Sequence, residues 1–331
     1  MIKYGVGIVG TGHYLPDNVQ SNEDLCKILL DVNPEWIVSK TGIKRRYIAT
    51  EDDSASNMSI LAARKVLEEN NISGEDIGLI AVATFSPDYM FPPVSAKIQK
   101  ELKCTKAQIV DINTNCTGFI TALTIASDRM RVDQSVKYSL VIGVELHTRY
   151  INPKDKETAI FFSDGAGVAL LGQVDEGSGI INSHFKTDSS TYESVRFRGG
   201  GSSFPFSKRS FSPDIDFMEM NGLATWKQAV TNMPILIKDL LTKISMDIDD
   251  IDFCLFHQAN LNLINYVMAK LKIPGEKTYT NVQEIGNCGS ASVGIVLSEA
   301  MIFGKIKPGN TVLFAGVGAG FNFGASIWKF T

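Results

Sequence analysis

The 331-residue chain holds only four histidines and five cysteines, and neither set is arranged to bind a metal or to cross-link the fold. Cys26, Cys104, Cys116, Cys254 and Cys288 form no CxxC pair, and the histidines lack the close spacing of a zinc site. So few thiols in so long a chain do not make a disulfide framework, which points to a reduced compartment and no metal. No apolar run approaches the ~18 residues of a membrane span. A basic surplus is missing too: 32 Lys and Arg stand against 36 Asp and Glu, which excludes the usual footprint of nucleic-acid binding. The start, MIKYGVGIVG, breaks into glycine and polar residues before a secretory apolar segment forms, so a cytoplasmic location is expected. The glycosylation-like NCT at 115–117 is then a chance match.

What is present is an ordinary globular composition, 44% hydrophobic and 21% charged, long enough to bury a large core. Apolar strand-like runs alternate with helical stretches, which is the α/β pattern. Strands are expected at 6–10, 79–84, 108–112, 140–145, 167–171, 179–185, 253–256, 277–280, 311–316 and 325–330. Helices are expected at 54–70, 94–102, 118–131, 223–244, 261–271 and 290–303. The Gly/Ser/Pro-rich stretch from Arg198 to Pro213 reads as a long surface loop. A weak internal repeat runs through the chain. DIGLIAVATFSP, DINTNCTGF, a helix and YSLVIGVE are matched by DIDFCLFHQAN, VQEIGNCGSAS, a helix and TVLFAGVGAG. Two related halves follow, residues 1–175 and 176–331.

Some motifs have bland readings. GVGIVG at Gly5–Gly10 fits the dinucleotide fingerprint, but no preceding strand or following helix supplies its context, so sheet packing and a turn are expected. SDGAGVALL at 163–171 reads as a glycine turn entering a strand. VGAGFNFG at 317–324 is either a turn or a loop that aims a backbone N–H at an oxyanion. Cys288 reads as packing.

Three residues stand out together: Cys116 in NTNCTGF, His257 in HQAN and Asn287 in GNCGSAS. Each lies where an apolar strand gives way to a loop or helix, the place where chemistry collects in α/β folds. Singly, each has a structural excuse: an inert buried thiol, a core histidine, a helix cap. The repeat gives them a reason to meet, since it puts Cys116 and Asn287 at equivalent helix starts and His257 after an equivalent strand. A thiol at a helix N-terminus is favoured as thiolate, and a thiol with His and Asn suggests acyl transfer through a thioester. No Asp or Glu accompanies the His in these motifs, which argues against a hydrolase.

These residues resemble β-ketoacyl-acyl carrier protein synthase III, a condensing enzyme of the thiolase-like superfamily. The likeness runs through HYLPDNVQSNEDL, PEWIVSKTGIKRRYIA, DIGLIAVATFSPD, NCTGF, FFSDGAGVALL, HQANL, GNCGSAS and GAGFNFGASIWKF. It implies a five-layered αβαβα fold of two related halves and a homodimer. It implies Cys116 as the acyl-accepting nucleophile, His257 and Asn287 as the decarboxylation pair, and the N–H groups of Cys116 and Ala319 as the oxyanion hole. The same likeness offers Trp36, Lys40, Thr41, Lys156, Trp226 and Asn260 as contacts to coenzyme A, and Phe91 as a residue reaching the partner subunit's acyl pocket. Leu146, Phe91 and the 198–213 segment are expected to shape that pocket. The substrates implied are an acyl-CoA and a malonyl thioester carried by an acyl carrier protein or by CoA, with no tightly bound cofactor.

The chain departs from the family pattern in places. Lys40, Lys156 and Asn262 stand where Arg is usual. Lys keeps the charge and loses the bidentate fork, while Asn262 loses both and weakens the expected docking of an acidic carrier protein. The glycine loop reads GAG where three glycines are usual. A specialised ketosynthase of a secondary pathway, or an acyltransferase passing the acyl group to an oxygen, nitrogen or β-keto acceptor, is the alternative on the same fold. A non-catalytic acyl- or CoA-binding subunit is a rival of another class, opposed by the complete Cys, His and Asn set.

Overall fold

A computed structural model describes residues 4–331. Two sheets are built from β1 (Gly5–Tyr14), β2 (Ile77–Ala83), β3 (Gln108–Ile112), β4 (Tyr138–Leu146), β5 (Asp164–Val174), β6 (Gly179–Thr187), β7 (Phe253–Phe256), β8 (Thr311–Gly318) and β9 (Asn322–Lys329). The main helices are α1 (Pro34–Thr41), α2 (Ala55–Glu69), α3 (Val94–Glu101), α4 (Gly118–Val132), α5 (Gly222–Lys243), α6 (Leu261–Leu271) and α7 (Ala291–Ile302). Several helix starts follow from capping side chains: Asn33 accepts from Trp36 N, Ser54 from Asn57 N and Asn260 from Leu263 N.

The first sheet has the order β1-β5-β4-β2-β3 and the second β7-β8-β9-β6. In the first, β2 runs parallel to β3 and β4, while β4–β5 and β5–β1 are antiparallel. The second repeats that pattern, with β7–β8 parallel and β8–β9 and β9–β6 antiparallel. All strands of the first sheet fall within residues 5–174 and all strands of the second within 179–329.

Side chains alternate across the strands, so each sheet carries an apolar layer on both faces. Leu79, Ala81 and Ala83 of β2 face inward with Val312 and Phe314 of β8, where α4 and α7 fill the space between the sheets. Ile80 and Val82 face out onto α2 and α3, and Leu313 and Ala315 face out onto α5 and α6. The result is a five-layered αβαβα thiolase-like fold. Helix α7 lies between two sheets and is accordingly buried nearly all round, through Val293, Ile295, Val296, Leu297 and Ala300.

Three expectations need correction. The run 277–280 is not a strand. Its place in the second sheet is reduced to a single parallel bridge between Cys254 and Thr278. Side chains anchor it instead: Lys277 Nζ donates to the carbonyls of Asp249 and Ile251, and Thr278 Oγ1 to that of Cys254. GVGIVG is not followed by a turn at Gly10; it lies within one strand that continues to Tyr14. Nor does SDGAG form a turn, for Gly165 and Gly167 lie inside β5. A Cβ on Gly167 would come within 2.5 Å of Ile295 N, so the missing side chain lets α7 seat on the sheet.

A second such contact sits nearer the chemistry. A Cβ on Gly143, in β4, would lie 2.4 Å from the carbonyl oxygen of Ser290 at the start of α7. Gly143→Ala is therefore expected to lift α7 and cost about 1–3 kcal/mol in chemical denaturation. Unchanged stability would show that the helix start is not held by this contact.

Candidate active site

A cavity of about 470 Å³ opens where the two halves meet, and Cys116, His257, Asn287, Ala319, Trp226 and Asn260 all line it. The chain reaches it from opposite directions. Cys116 lies in a 3₁₀ turn, Asn115–Thr117, between β3 and α4, with Asn115 in the left-handed region at φ 50°. His257 follows β7 directly, and its N–H donates to Ala315 O on β8. Asn287 precedes α7, and its main chain pairs with Phe161 and Ser163 through bonds of 2.9 Å.

Glycines bring these segments together. A Cβ on Gly318 would lie 2.8 Å from Thr114 O and 2.9 Å from Cys116 N, so only a bare α-carbon allows the end of β8 to lie against the cysteine turn. The next residue, Ala319, has its carbonyl held by the side-chain amides of Asn115, at 3.2 Å, and Asn322, at 3.3 Å. Those two donors fix the orientation of the glycine loop beside Cys116.

The two polar groups are oriented as well. Ser292 Oγ lies 2.6 Å from His257 Nδ1 and accepts from Gln258 N. Among the described residues the Ser292 hydroxyl has no other acceptor, which assigns its proton to Nδ1 and His257 to the tautomer with Nε2–H. Burial pushes the imidazole down to about 3, so the ring is neutral near pH 7. Asn287 Oδ1 accepts from Gly289 N at 2.9 Å, which leaves the NH₂ as the end available for donation. Asn287 is not a helix cap: Ser290 occupies that position before α7.

Cys116 is half-buried, and its thiol is pushed up to about 12, first by desolvation and then by the Glu145 carboxyl, against a bond from its own backbone N–H. The thiol-lowering effect of the helix start is thus outweighed by burial. Glu145 itself was missed in the motifs, since it ends the apolar strand β4 rather than accompanying His257. It lines the same cavity, fully enclosed, so a carboxyl does sit with the triplet. Burial raises it to about 8, against hydrogen bonds from Ser86, Ser290, Phe85 N and Thr84. Ser290 Oγ lies 2.9 Å from Glu145 Oε1, 2.8 Å from Ala83 O and 3.5 Å from Val144 O, so its hydroxyl is shared among three acceptors.

Other expected residues lie apart from this cavity. Thr41 is enclosed at the end of α1, where its hydroxyl donates to Ile37 O and accepts from Ile43 N. Trp36 is half-buried on the surface with Lys40 Nζ 6.0 Å from its ring centre. Lys156 is paired with Asp31. Phe91 is 85% exposed on a surface loop. Asn262 donates to the carbonyls of Ser39 and Lys40 and so ties α6 to the end of α1. Leu146 points into the outer core, and the wall of the cavity is formed instead by its neighbour His147 with Phe85, Phe161, Phe162 and Phe197. The 198–213 segment contributes nothing to that wall; residues 192–197 and 218–226 do. Cys288 is fully buried, as expected for packing.

Five layers with a thiol, an imidazole and a carboxamide around one inter-half cavity define a protein of the thiolase-like acyl-transfer class. Comparison with known proteins narrows this. Models of the 3-oxoacyl-[acyl-carrier-protein] synthase III family match residues 110–189 and, for its C-terminal part, residues 241–330. The chain is 36% identical over 329 residues to β-ketoacyl-[acyl-carrier-protein] synthase III of Caldanaerobacter subterraneus subsp. tengcongensis, covering 99% of each. It is 36% identical over 325 residues to the synthase III of Clostridioides difficile, covering 98% of each. The crystal structure of 3-oxoacyl-[acyl-carrier-protein] synthase III from Aquifex aeolicus superposes with a TM-score of 0.90 at 34% identity, over 98% of this chain and 100% of that one. The chain belongs to the 3-oxoacyl-[acyl-carrier-protein] synthase III family and is a condensing acyltransferase of that type.

The sign of the Glu145 shift has a measurable consequence. In the unfolded chain the carboxyl ionises near 4.5, whereas in the fold it keeps its proton to about 8. The folded state therefore holds the extra proton, and stability falls as pH rises from 4.5 to 8. Glu145→Gln lacks that dependence, so its stability relative to the unaltered protein should improve across this window in urea titrations. A constant difference would mean that the carboxyl is ionised in the fold.

Proposed function

We propose that the enzyme accepts an acyl group from an acyl-CoA onto Cys116 and then condenses it with a malonyl thioester to give a β-ketoacyl thioester. The observation that carries this reading is the pair of oriented donors, His257 Nε2–H and the Asn287 NH₂, on the cavity that also holds the Cys116 thiol. In the first step the Cys116 sulfur attacks the thioester carbonyl, and the N–H groups of Cys116 and Ala319 receive the oxyanion. Carbon–sulfur cleavage then expels CoA, which leaves as the thiol with the proton that Cys116 gave up. The thiol's raised pKa makes this proton loss part of the barrier, so acylation should speed up with pH.

In the second step the malonyl thioester carbonyl is held by His257 and Asn287. The bond to the carboxylate breaks, CO₂ leaves, and the electron pair passes into an enolate that the two donors stabilise. The enolate carbon attacks the acyl-Cys116 carbonyl, a carbon–carbon bond forms, and the cysteine sulfur departs and takes up a proton. Loss of CO₂ creates the carbanion, so no base need remove a carbon-bound proton. Neutral imidazole suits the task, because it offers a hydrogen bond without a charge that must be desolvated.

Trp226 and Asn260 line the cavity and are assigned to the CoA arm, with Trp36, Lys40 and Lys156 nearer the surface for its nucleotide end. The malonyl unit arrives on an acyl carrier protein, or on CoA where the missing charge at Asn262 weakens carrier docking. No tightly bound cofactor enters the reaction. Tyr89, Met90 and Phe91, 65%, 81% and 85% exposed, form an apolar loop tip suited to a second copy of the chain, which supports a homodimer.

Mass spectrometry with acyl-CoA and malonyl-acyl carrier protein separates the steps. Cys116→Ala should abolish covalent labelling. His257→Ala and Asn287→Ala should keep part of the labelling while condensation falls by about 10²-fold or more. Complete loss of labelling in His257→Ala would overturn this division, and transfer without CO₂ release would favour the simple acyltransferase.

A further inference from the structure

One residue of the cavity wall has no place in the chemistry above. His147 follows β4 directly, is 3% exposed, and lines the cavity with Cys116. Its ring is fixed by packing. Phe162 stacks on it at 4.7 Å and 12°, and Phe85 meets it at 4.9 Å and 62°. Gly289 lies so close that a Cβ there would fall 2.2 Å from Cε1. Yet Nδ1 is buried and has no hydrogen-bond partner.

A buried unpaired ring nitrogen is unfavourable, and a leucine or phenylalanine at this position would complete an apolar wall without it. The neighbouring surface is otherwise hydrophobic and aromatic, from Phe85, Phe161, Phe162 and Phe197. Nδ1 has almost no accessible surface and is closed to the cavity as well, so the nitrogen left to meet a bound chain is Nε2, which has no hydrogen-bond partner among the described residues. We propose that His147 makes the acyl pocket selective for an acyl chain bearing an uncharged oxygen function, a hydroxyl or oxo group, that hydrogen-bonds the imidazole. The inference rests on the reading of Cys116 as the acyl acceptor and names the class of acyl group it takes.

Charge narrows the choice to an uncharged group. Burial, and to a smaller extent the facing His257, keep His147 neutral, with its imidazole pushed down to about 3. The Glu145 carboxyl occupies the same wall, so a carboxylate on the incoming chain would meet a second acid and no free cation. Arg196, which also lines the cavity, is engaged by Glu193 and Glu219. A neutral imidazole serves either kind of oxygen: one tautomer donates from Nε2 to an oxo group, and the other accepts there from a hydroxyl.

The test is the rate of Cys116 labelling, followed by intact-protein mass spectrometry, with two matched pairs of CoA thioesters: 3-hydroxybutyryl against butyryl, and 4-oxopentanoyl against pentanoyl. The unaltered protein should favour the oxygenated member of at least one pair by about tenfold or more. His147→Leu should erase or invert that ratio while labelling with the plain chain continues at least as fast, and His147→Asn should retain part of it. Preference for the plain chain in both pairs would overturn the proposal, a result that needs no variant to fold. An equal fall in all four rates in His147→Leu would also overturn it, because that is the signature of a packing role behind Gly289. No labelling of Cys116 by any thioester would refute the acylation step itself, and the inference with it.

Discussion

The contact on which the site depends is the seating of α7 against β4, glycine to backbone, with Ser290 held between Ala83 and Glu145. It joins a helix of the second half to a strand end of the first. From that joint Asn287 is carried into the cavity on one side, and Ser292, two residues after Ser290, reaches His257 on the other. Because Glu145 is enclosed and reached by hydroxyls and a backbone N–H, with no cation paired to it among the described residues, the joint is a network of hydrogen bonds and not an ion pair. Removing one partner would leave a buried acid or hydroxyl unsatisfied, which costs more than the bond itself contributes.

The cavity sets reactive groups in a desolvated environment, and each responds according to the sign of its charge. Burial disfavours thiolate, carboxylate and imidazolium alike, so Cys116, Glu145, His147 and His257 are all held neutral. A site of this kind works through directed hydrogen bonds. That is consistent with chemistry in which negative charge appears on oxygen only during reaction and is met by N–H donors already in position.

Much of this was legible in the amino-acid order. The strand and helix runs carried period-two and helical patterns that survive in the structure to within a few residues, and Leu261–Leu271 and Phe253–Phe256 match end for end. The triplet was visible because each member ends an apolar strand and the repeat aligns them. What escaped notice escaped for physical reasons. The 277–280 run has the residues of a strand, but side-chain bonds from Lys277 and Thr278 hold it where a ladder would be expected. Glu145 lies beside the end of β4 and His147 just past it, and the apolar run gave no sign of which residue there faces the cavity. A strand's alternation places one neighbour inward and the next outward, and Leu146 between them went to the outer core. Gly165 and Gly167 read as a turn because a glycine's use for helix–sheet contact leaves no local mark.

The seam between the halves also limits how substrates reach the thiol. Cys116 belongs to one half and His257 and Asn287 to the other, and their backbones approach where glycines leave no slack. A clamshell motion that widened the seam would pull the Cys116 thiol away from His257 and Asn287 and expose the sandwiched helices α4 and α7 to water. Opening of that kind amounts to partial unfolding, and its free energy should lie close to that of the whole chain. That leaves the surface-side wall around Tyr192 and Trp226, 67% and 36% exposed, as the portal. In hydrogen exchange, the amides around Cys116 and Asn287 would belong to the slowest class while those of the portal exchange early.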